Sequence, residues 1–326
     1  MSSKTVLLIR LGAIGDCVII TPVIQKLYEQ GYEIILNTGK RGMNVFKHDP
    51  RITRFIEHDE DIPIAEVSKH WETLKEEVKP DKFINFTESI ECNVALHPTQ
   101  PLYIYPKEER RAVCNRNYYD VTAKWAGLDN CDKRPSLYFT DEEEGKAKSY
   151  LKKGKFNILW ALSGSGKNKV YPWTDYVMGE ILKDNDVHII TVGDEKCQLL
   201  ENILNQFPKD RMTELAGKIE IRESLCLTKH VDLVISPDTG VLHAAGCFTT
   251  PKIGLLGHTT MENITKYFES DYSIEAKCAC APCFRLIYDH DIQCPLDMIS
   301  KSSWCMSQGL PPERLYEQYK KVRGEK

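Results

Sequence analysis

Short apolar runs alternate along this chain with longer, charge-studded segments. The first run, Val6-Leu7-Leu8-Ile9, has no polar position and predicts a strand buried on both faces. Beyond a glycine-containing stretch, Pro22 and the run Val23-Ile24-Gln25-Lys26-Leu27 predict a helix. The same rhythm predicts strands at 34–36 and 83–86, a charged helical run at 71–78 and a helix over 118–127. Residues 97–111 carry several prolines and read as irregular loops, and 135–139 as an extended connection. Residues 141–155 are a highly charged helix and turn whose charges a solvated face explains. The alternation then restarts. Strands are expected at 156–160, 187–192, 233–235 and 252–256, with helices at 173–182, 221–229, 238–247 and 312–322. Two α/β domains facing across a cleft are the economical architecture. The expected boundaries are a first domain over 1–140, a second over 141–311 that includes a cysteine cluster, and a C-terminal helix over 312–326.

The turn after the first strand, Arg10-Leu11-Gly12-Ala13-Ile14-Gly15-Asp16, places two glycines and an aspartate at the carboxyl end of a strand. Open α/β sheets bind ligands there. Gly12 and Gly15 allow close backbone approach, and Asp16 is placed to accept a proton or hold a hydroxyl. The alternative is a tight turn in which Asp16 caps a helix. The dinucleotide fingerprint G-x-G-x-x-G is absent from this turn.

Composition narrows the setting. The chain of 326 residues can bury a large core without disulfides, and its formal net charge of -4 argues against general nucleic-acid binding. The N-terminus lacks a signal-peptide pattern, and no apolar stretch is long enough to span a bilayer. The expected location is cytoplasmic, with peripheral contact at the inner membrane left open. Of the 12 cysteines, those from Cys17 to Cys247 are scattered and fit buried thiols in a reducing compartment. Lys40, Arg41, Arg110, Arg111 and Arg116 form a basic set that could meet an anionic acceptor near the first domain, or be solvated surface.

Two motifs in the second half carry candidate chemistry. Ser163-Gly164-Ser165-Gly166-Lys167 follows a strong strand but fails the P-loop spacing. Its hydroxyls and backbone N–H groups can still cradle phosphate, with Lys169 as a diphosphate partner; the alternative is a surface loop. Asp238-Thr239-Gly240 joins a strand to a helix whose amino end attracts negative charge, and Asp238 could touch a ribose or a cation. His243 either contacts phosphate or is structural. Gly257-His258-Thr259 could close over the same ligand.

Taken in order, these motifs resemble glycosyltransferase family 9, the ADP-heptose heptosyltransferases. The resemblance runs from Arg10–Asp16 with Thr21-Pro22, through 163–172, to Asp238-Thr239-Gly240 with His243-Ala244-Ala245, Pro251 and Gly257-His258-Thr259. It implies a GT-B fold of two Rossmann-like domains, with the donor nucleotide sugar mainly in the second. It implies inverting transfer from ADP-heptose to an acceptor glycan, lipopolysaccharide core or protein. Asp16 matches the catalytic base, Lys169 the lysine on the diphosphate, and Asp238, Thr239 and Gly240 the donor-binding turn. The sequence departs from the family at Gly257-His258-Thr259, where many relatives have Gly-Pro-Thr, and at Tyr171-Pro172, where Trp-Pro is common. A nucleotide-sugar epimerase and a non-catalytic nucleotide-binding protein are the alternatives.

The last feature is Cys278, Cys280, Cys283, Cys294 and Cys305, which crowd one short region. Cys280, Cys283, Cys294 and Cys305 suit a closed tetrahedral site for structural zinc or iron, leaving Cys278 spare. Relatives that modify autotransporter proteins carry a comparable four-cysteine iron site, with longer later spacings. Unliganded thiols and redox chemistry are the other readings.

Overall fold

In the computed structural model, which describes residues 4–93, 101–286, 294 and 296–324, the first apolar run becomes β1 (Lys4–Ile9). Val6 to Ile9 are wholly buried because β1 is paired on both sides. The chain continues through α1 (Ile14–Ile19), α2 (Thr21–Glu29), β2 (Tyr32–Thr38), α3 (Lys40–Phe46), β3 (Ile52–Glu57), α4 (Ile64–Val78) and β4 (Lys82–Asn85). These strands form a parallel sheet in the order β3-β2-β1-β4. The expected single helix at Pro22 is two helices: α1 starts directly after the glycine turn, and Pro22 lies in the first turn of α2, where its missing N–H costs nothing. β3 went unpredicted because it is an edge strand with one buried residue, so polar residues break its apolar run.

The chain divides into two units, Met1–Cys92 with Tyr118–Tyr138, and Asn93–Asn117 with Phe139–Lys326. The excursion at 93–117 is not part of the expected boundaries. It corrects the expected loops over 97–111: from Pro101 the chain forms α5 (Pro101–Ile104) and α6 (Lys107–Cys114), while 94–100 lie outside the described residues. Pro101 opens α5 and Pro106 caps α6, positions that proline tolerates. α7 (Tyr118–Trp125) returns to the first unit, where the Trp125 indole N–H donates to the Asn85 carbonyl at 2.7 Å.

The second unit begins with α8 (Asp141–Ser149). Thr140 caps it by accepting the Glu143 N–H at 3.2 Å, and the Glu143 carboxylate accepts the Thr140 N–H at 3.0 Å. Then come β5 (Phe156–Ala161), α9 (Thr174–Ile181), β6 (Val187–Val192), α10 (Gln198–Ile203), β7 (Met212–Glu214), α11 (Ile221–His230), β8 (Leu233–Pro237), α12 (Gly240–Ala245), β9 (Lys252–Leu256), α13 (Met261–Ile264), β10 (Ile274–Glu275), α14 (Trp304–Ser307) and α15 (Pro312–Val322). The strands are parallel in the order β10-β9-β8-β5-β6-β7. All six residues of β6 are buried, the polar His188 and Thr191 included, so the strand is covered on both faces. α15 belongs to this unit's core: Leu315 and Tyr319 are wholly buried, and the Tyr319 hydroxyl bonds the Asp184 carboxylate.

Strand order also locates the ligand edges. In the first sheet the chain moves outward from β1 to β2 and β3, then returns to β4 on the other side. In the second it moves from β5 to β6 and β7, then returns to β8. The switch points lie at the carboxyl ends of β1 with β4, and of β5 with β8.

Candidate active site

At the first switch point the chain leaves β1 through Gly12, whose φ of +117° suits glycine. A Cβ there would lie 2.8 Å from Asp16 Oδ2. Asp16 sits in the first turn of α1, and its Oδ2 accepts the N–H of Ala13 at 2.8 Å. The same oxygen is 3.6 Å from Arg10 Nη2. Ala13, not Asp16, is the cap residue, yet the Asp16 carboxylate reaches back to it. Oδ2 therefore secures the turn, while Oδ1 has no protein partner among the described residues. With its side chain 29% exposed, Asp16 can serve as both turn anchor and base. Gly15 is buried within α1.

Sequence reasoning quoted Arg10 without a role and missed Glu91. The wholly buried Arg10 guanidinium donates to the Glu91 carboxylate at 3.0 Å and to the Phe86 carbonyl. Burial disfavours its charge, but Asp16 and Glu91 more than offset this and raise its pKa above the ordinary value. Burial lifts the Glu91 carboxyl, Arg10 pulls it down and Asp16 lifts it again, leaving it raised. Arg10 and Glu91 are 81 residues apart, so no local spacing signals the pair.

At the second switch point the structure joins motifs that the sequence presents separately. Lys169 is buried, and its Nζ donates to the Asp238 carbonyl at 2.6 Å. Gly164 fits between them: a Cβ there would lie 2.5 Å from Thr239 Cγ2 and 2.8 Å from Lys169 Cδ. Ser163 is half-buried and Ser165 exposed on the same loop. His243 Nε2 is 3.4 Å from Asp238 Oδ1, and His258 Nε2 is 3.6 Å from Oδ2, which Thr259 Oγ1 also approaches at 3.4 Å. Thr239 is the cap residue of α12 but makes no side-chain cap bond; its Oγ1 is 3.1 Å from Ser236 Oγ. Because α12, opened by Gly240, has only six residues, side chains rather than a long helix dominate the local field.

The electrostatics show what surrounds Asp238, the residue expected to touch a ribose or a cation. Burial alone would raise its carboxyl, but the Lys169 charge and the two histidines overcome that and hold it well below the carboxylate range. Burial, then Lys169, pushes His258 down to about 4, with Asp238 opposing. Asp238 is therefore ionised and His258 neutral at pH 7, with the Lys169 side chain beside both. Asn168, which sequence reasoning passed over, keeps both side-chain amide atoms buried without a partner, and His243 keeps Nδ1 so.

The cysteine segment borders this turn. The Phe284 N–H donates to the His258 carbonyl at 2.8 Å, and a Cβ on Gly257 would lie 3.0 Å from Cys305 Sγ. Cys278, expected to be spare, has its sulfur 3.5 Å from that of Cys280. Burial, then Cys278, pushes the Cys280 thiol up to about 12, with Cys283 and Cys294 adding to it; Cys305 also feels Cys280, Cys283 and Cys294. The five thus share one neighbourhood. Among the described residues, however, no three metal-binding side chains are arranged as a coordination site.

The expected basic set disperses. Arg110 Nε donates to the Cys283 carbonyl at 2.6 Å and Arg111 Nε to the Pro282 carbonyl at 3.2 Å, so both pin the cysteine loop. Arg110 and Arg111 belong to the second unit. No described helix is long and apolar enough to cross a membrane.

Comparison with known proteins fits this geometry. The lipopolysaccharide core heptosyltransferase OpsX of Haemophilus influenzae is 21% identical over 299 residues, covering 82% of this chain and 86% of that protein. The structure of E. coli ADP-heptose lipopolysaccharide heptosyltransferase II matches with a TM-score of 0.68 at 14% identity, covering 98% of each chain. The iron-containing dodecameric heptosyltransferase TibC, in complex with ADP-D-β-D-heptose, matches with a TM-score of 0.63 at 12% identity, over 99% of this chain and 76% of that one. These likenesses identify the fold as GT-B. The sequence model of glycosyltransferase family 9 (heptosyltransferase) matches residues 104–289, more than half of the chain. That match overturns the epimerase and non-catalytic alternatives. The chain belongs to glycosyltransferase family 9 and is a glycosyltransferase.

Proposed function

We propose that this enzyme transfers a heptosyl group from ADP-heptose, with inversion, to a hydroxyl of an acceptor glycan. The observation that carries the reading is the buried Lys169 ammonium beside the Asp238 turn. One of its three donors is used by the Asp238 carbonyl, leaving two for a diphosphate. Asn168 and His243 supply further buried polar atoms without partners. In the reaction Asp16 Oδ1 takes the acceptor hydroxyl proton, the acceptor oxygen bonds the anomeric carbon, and the bond to the diphosphate breaks. ADP departs with the bonding pair, and Lys169 stabilises its growing charge. Residues 1–140 serve the acceptor, and 141–311, with Ser163, Gly164, Ser165, Thr239, Gly240, His243 and His258, the donor. The relatives named for ADP-heptose and lipopolysaccharide core support donor and acceptor class. The reaction belongs in the cytoplasm, at the inner membrane face when the acceptor is lipid-linked; the free cysteines accord with a reducing compartment.

The test is incubation with ADP-heptose and a lipopolysaccharide-core oligosaccharide, followed by mass spectrometry. A heptosyl mass increment with ADP release is expected. Release of no ADP with any core acceptor, in protein that binds no ADP-heptose, overturns the proposal.

A structural metal on Cys280, Cys283, Cys294 and Cys305 is part of the same proposal. Thiol chemistry suits zinc or iron, and TibC is named as iron-containing. When bound, the metal supplies folding energy to a segment with little apolar material. Elemental analysis of protein purified without added metal checks this. Less than roughly a tenth of an equivalent of zinc plus iron, in folded and active protein, rules it out.

A further inference from the structure

We infer that Glu91 is a positioning residue for the transfer: it takes up the charge of Arg10 and so keeps Asp16 a competent base. The inference rests on the reading of Asp16 as the base. A single wholly buried guanidinium stands between two carboxylates. Arg10 Nη2 donates to Glu91 Oε1 at 3.0 Å and Nη1 to Oε2 at 3.3 Å, a two-point pairing. The same Nη2 lies 3.6 Å from Asp16 Oδ2, beyond hydrogen-bond range. Arg10 thus gives its bonds to Glu91 and only its field to Asp16.

The surrounding chain fixes this division. Arg10 Nη1 also donates to the Phe86 carbonyl, and the Phe86 N–H donates to the Ile9 carbonyl at 2.8 Å. The segment leading to Glu91 is therefore tied to the end of β1. Glu91 Oε2 in turn accepts the Ile90 N–H at 3.2 Å. A Cβ at Gly12 would lie 3.4 Å from Arg10 Nη2 as well as 2.8 Å from Asp16 Oδ2, so the glycine lets the turn close over both groups. The side chains of Glu91 and Asp16 are 21% and 29% exposed, whereas Arg10 has no exposed surface and draws its counter-charge from these two groups, not from water.

Counting charge shows what Glu91 contributes. With both carboxylates ionised, the guanidinium is shared between two anions. With Glu91 uncharged, its field falls on Asp16 alone. An uncompensated cation weakens a carboxylate as a proton acceptor, and general-base catalysis follows base strength. Glu91 needs no contact with substrate for this. Burial, against the pull of Arg10, lifts the Glu91 carboxyl above the ordinary 4.5, so mild acid removes its charge. The other titratable groups facing the trio are Cys17 on α1 and Cys92 beside Glu91. Burial pushes Cys17 up to about 12 and raises Cys92, so both thiols stay neutral in acid.

The test compares wild type, Glu91→Gln and Glu91→Asp in the whole chain, with ADP-heptose and a core oligosaccharide, at pH 8 and pH 4.5. Gln keeps an oxygen for Arg10, so the melting temperature should hold. At pH 8 Glu91→Gln should lower kcat about three- to tenfold with KM for ADP-heptose unchanged, while Glu91→Asp, which keeps the charge, should stay within about twofold of wild type. At pH 4.5 Glu91 is itself more than half protonated in the wild type, so the ratio of wild type to Glu91→Gln should shrink by about a third or more. A purely structural defect would leave that ratio constant. A second measurement needs neither turnover nor a Glu91 variant. In wild type labelled with carbon-13 at its carboxyl groups, the Asp16 resonance, identified by its loss in Asp16→Asn, should shift as Glu91 takes its proton. An equal ratio at both pH values, Glu91→Asp as impaired as Glu91→Gln, or an Asp16 resonance indifferent to Glu91 overturns the inference. Wild-type turnover in Asp16→Asn overturns instead the reading of Asp16 as the base, on which the resonance measurement does not depend.

Discussion

The two strand-end turns of this enzyme each carry an aspartate, and the two are held in opposite ways. Asp16 is part-exposed; a backbone N–H holds one oxygen, and the other has no protein partner among the described residues. Asp238 is buried, with His243, His258 and Thr259 around its carboxylate and Lys169 on its carbonyl. A base must exchange a proton with substrate, which needs access and a free lone pair. A buried, strongly ionised carboxylate instead fixes the charges and tautomers around it. The same residue type is thus left open to substrate at one turn and locked among charged neighbours at the other.

The largest expected effect tests the open carboxylate. Asp16→Asn should lower kcat by roughly 10²–10⁴ with donor affinity nearly unchanged, read by turnover and by calorimetry with ADP-heptose. Turnover within a few-fold of wild type would dismiss Asp16 as the base.

Asp238→Asn should act on stability first. It leaves Lys169 buried without its counter-charge, at a cost of about 3–5 kcal/mol in chemical denaturation. Because the folded pKa of Asp238 lies below the ordinary 3.8, its stabilisation is present above about pH 4 and is lost as pH falls further. The gap between wild type and variant should therefore narrow in acid. An equal gap at pH 7 and pH 3 would contradict the charge argument.

His258 sharpens the same contrast. Its pKa is lowered from 6.5 to about 4, so between those values the unfolded chain binds a proton that the folded chain refuses. Stability therefore falls as pH drops through that window, by about 3 kcal/mol in all. His258→Gln should remove this part of the slope, measured by denaturation at pH 7 and pH 4.5. An unchanged slope would show that His258 is not buried neutral.

The smallest effect is expected at Gly12→Ala. The positive φ and the contact with Asp16 Oδ2 should together cost about 1–3 kcal/mol and shift the carboxylate, lowering kcat. Unchanged stability and rate would mean that the turn does not position Asp16.

The sequence by itself determined the α/β architecture, because strands buried on both faces read as near-continuous apolar runs, as at Val6 to Ile9 in β1. It also determined the chemistry available at strand ends, since glycine, aspartate and lysine were legible at 10–16, 163–169 and 238–240. Edge strands such as β3 escaped, because solvent on one side removes the apolar pattern. Only the tertiary structure decided how residues distant in sequence share charge. It brought Glu91 to Arg10, Lys169 to the Asp238 turn, and Arg110 to the cysteine loop. It also made one aspartate open and the other closed. Burial and long-range partners set a carboxylate's role, and neither is written in its immediate neighbours.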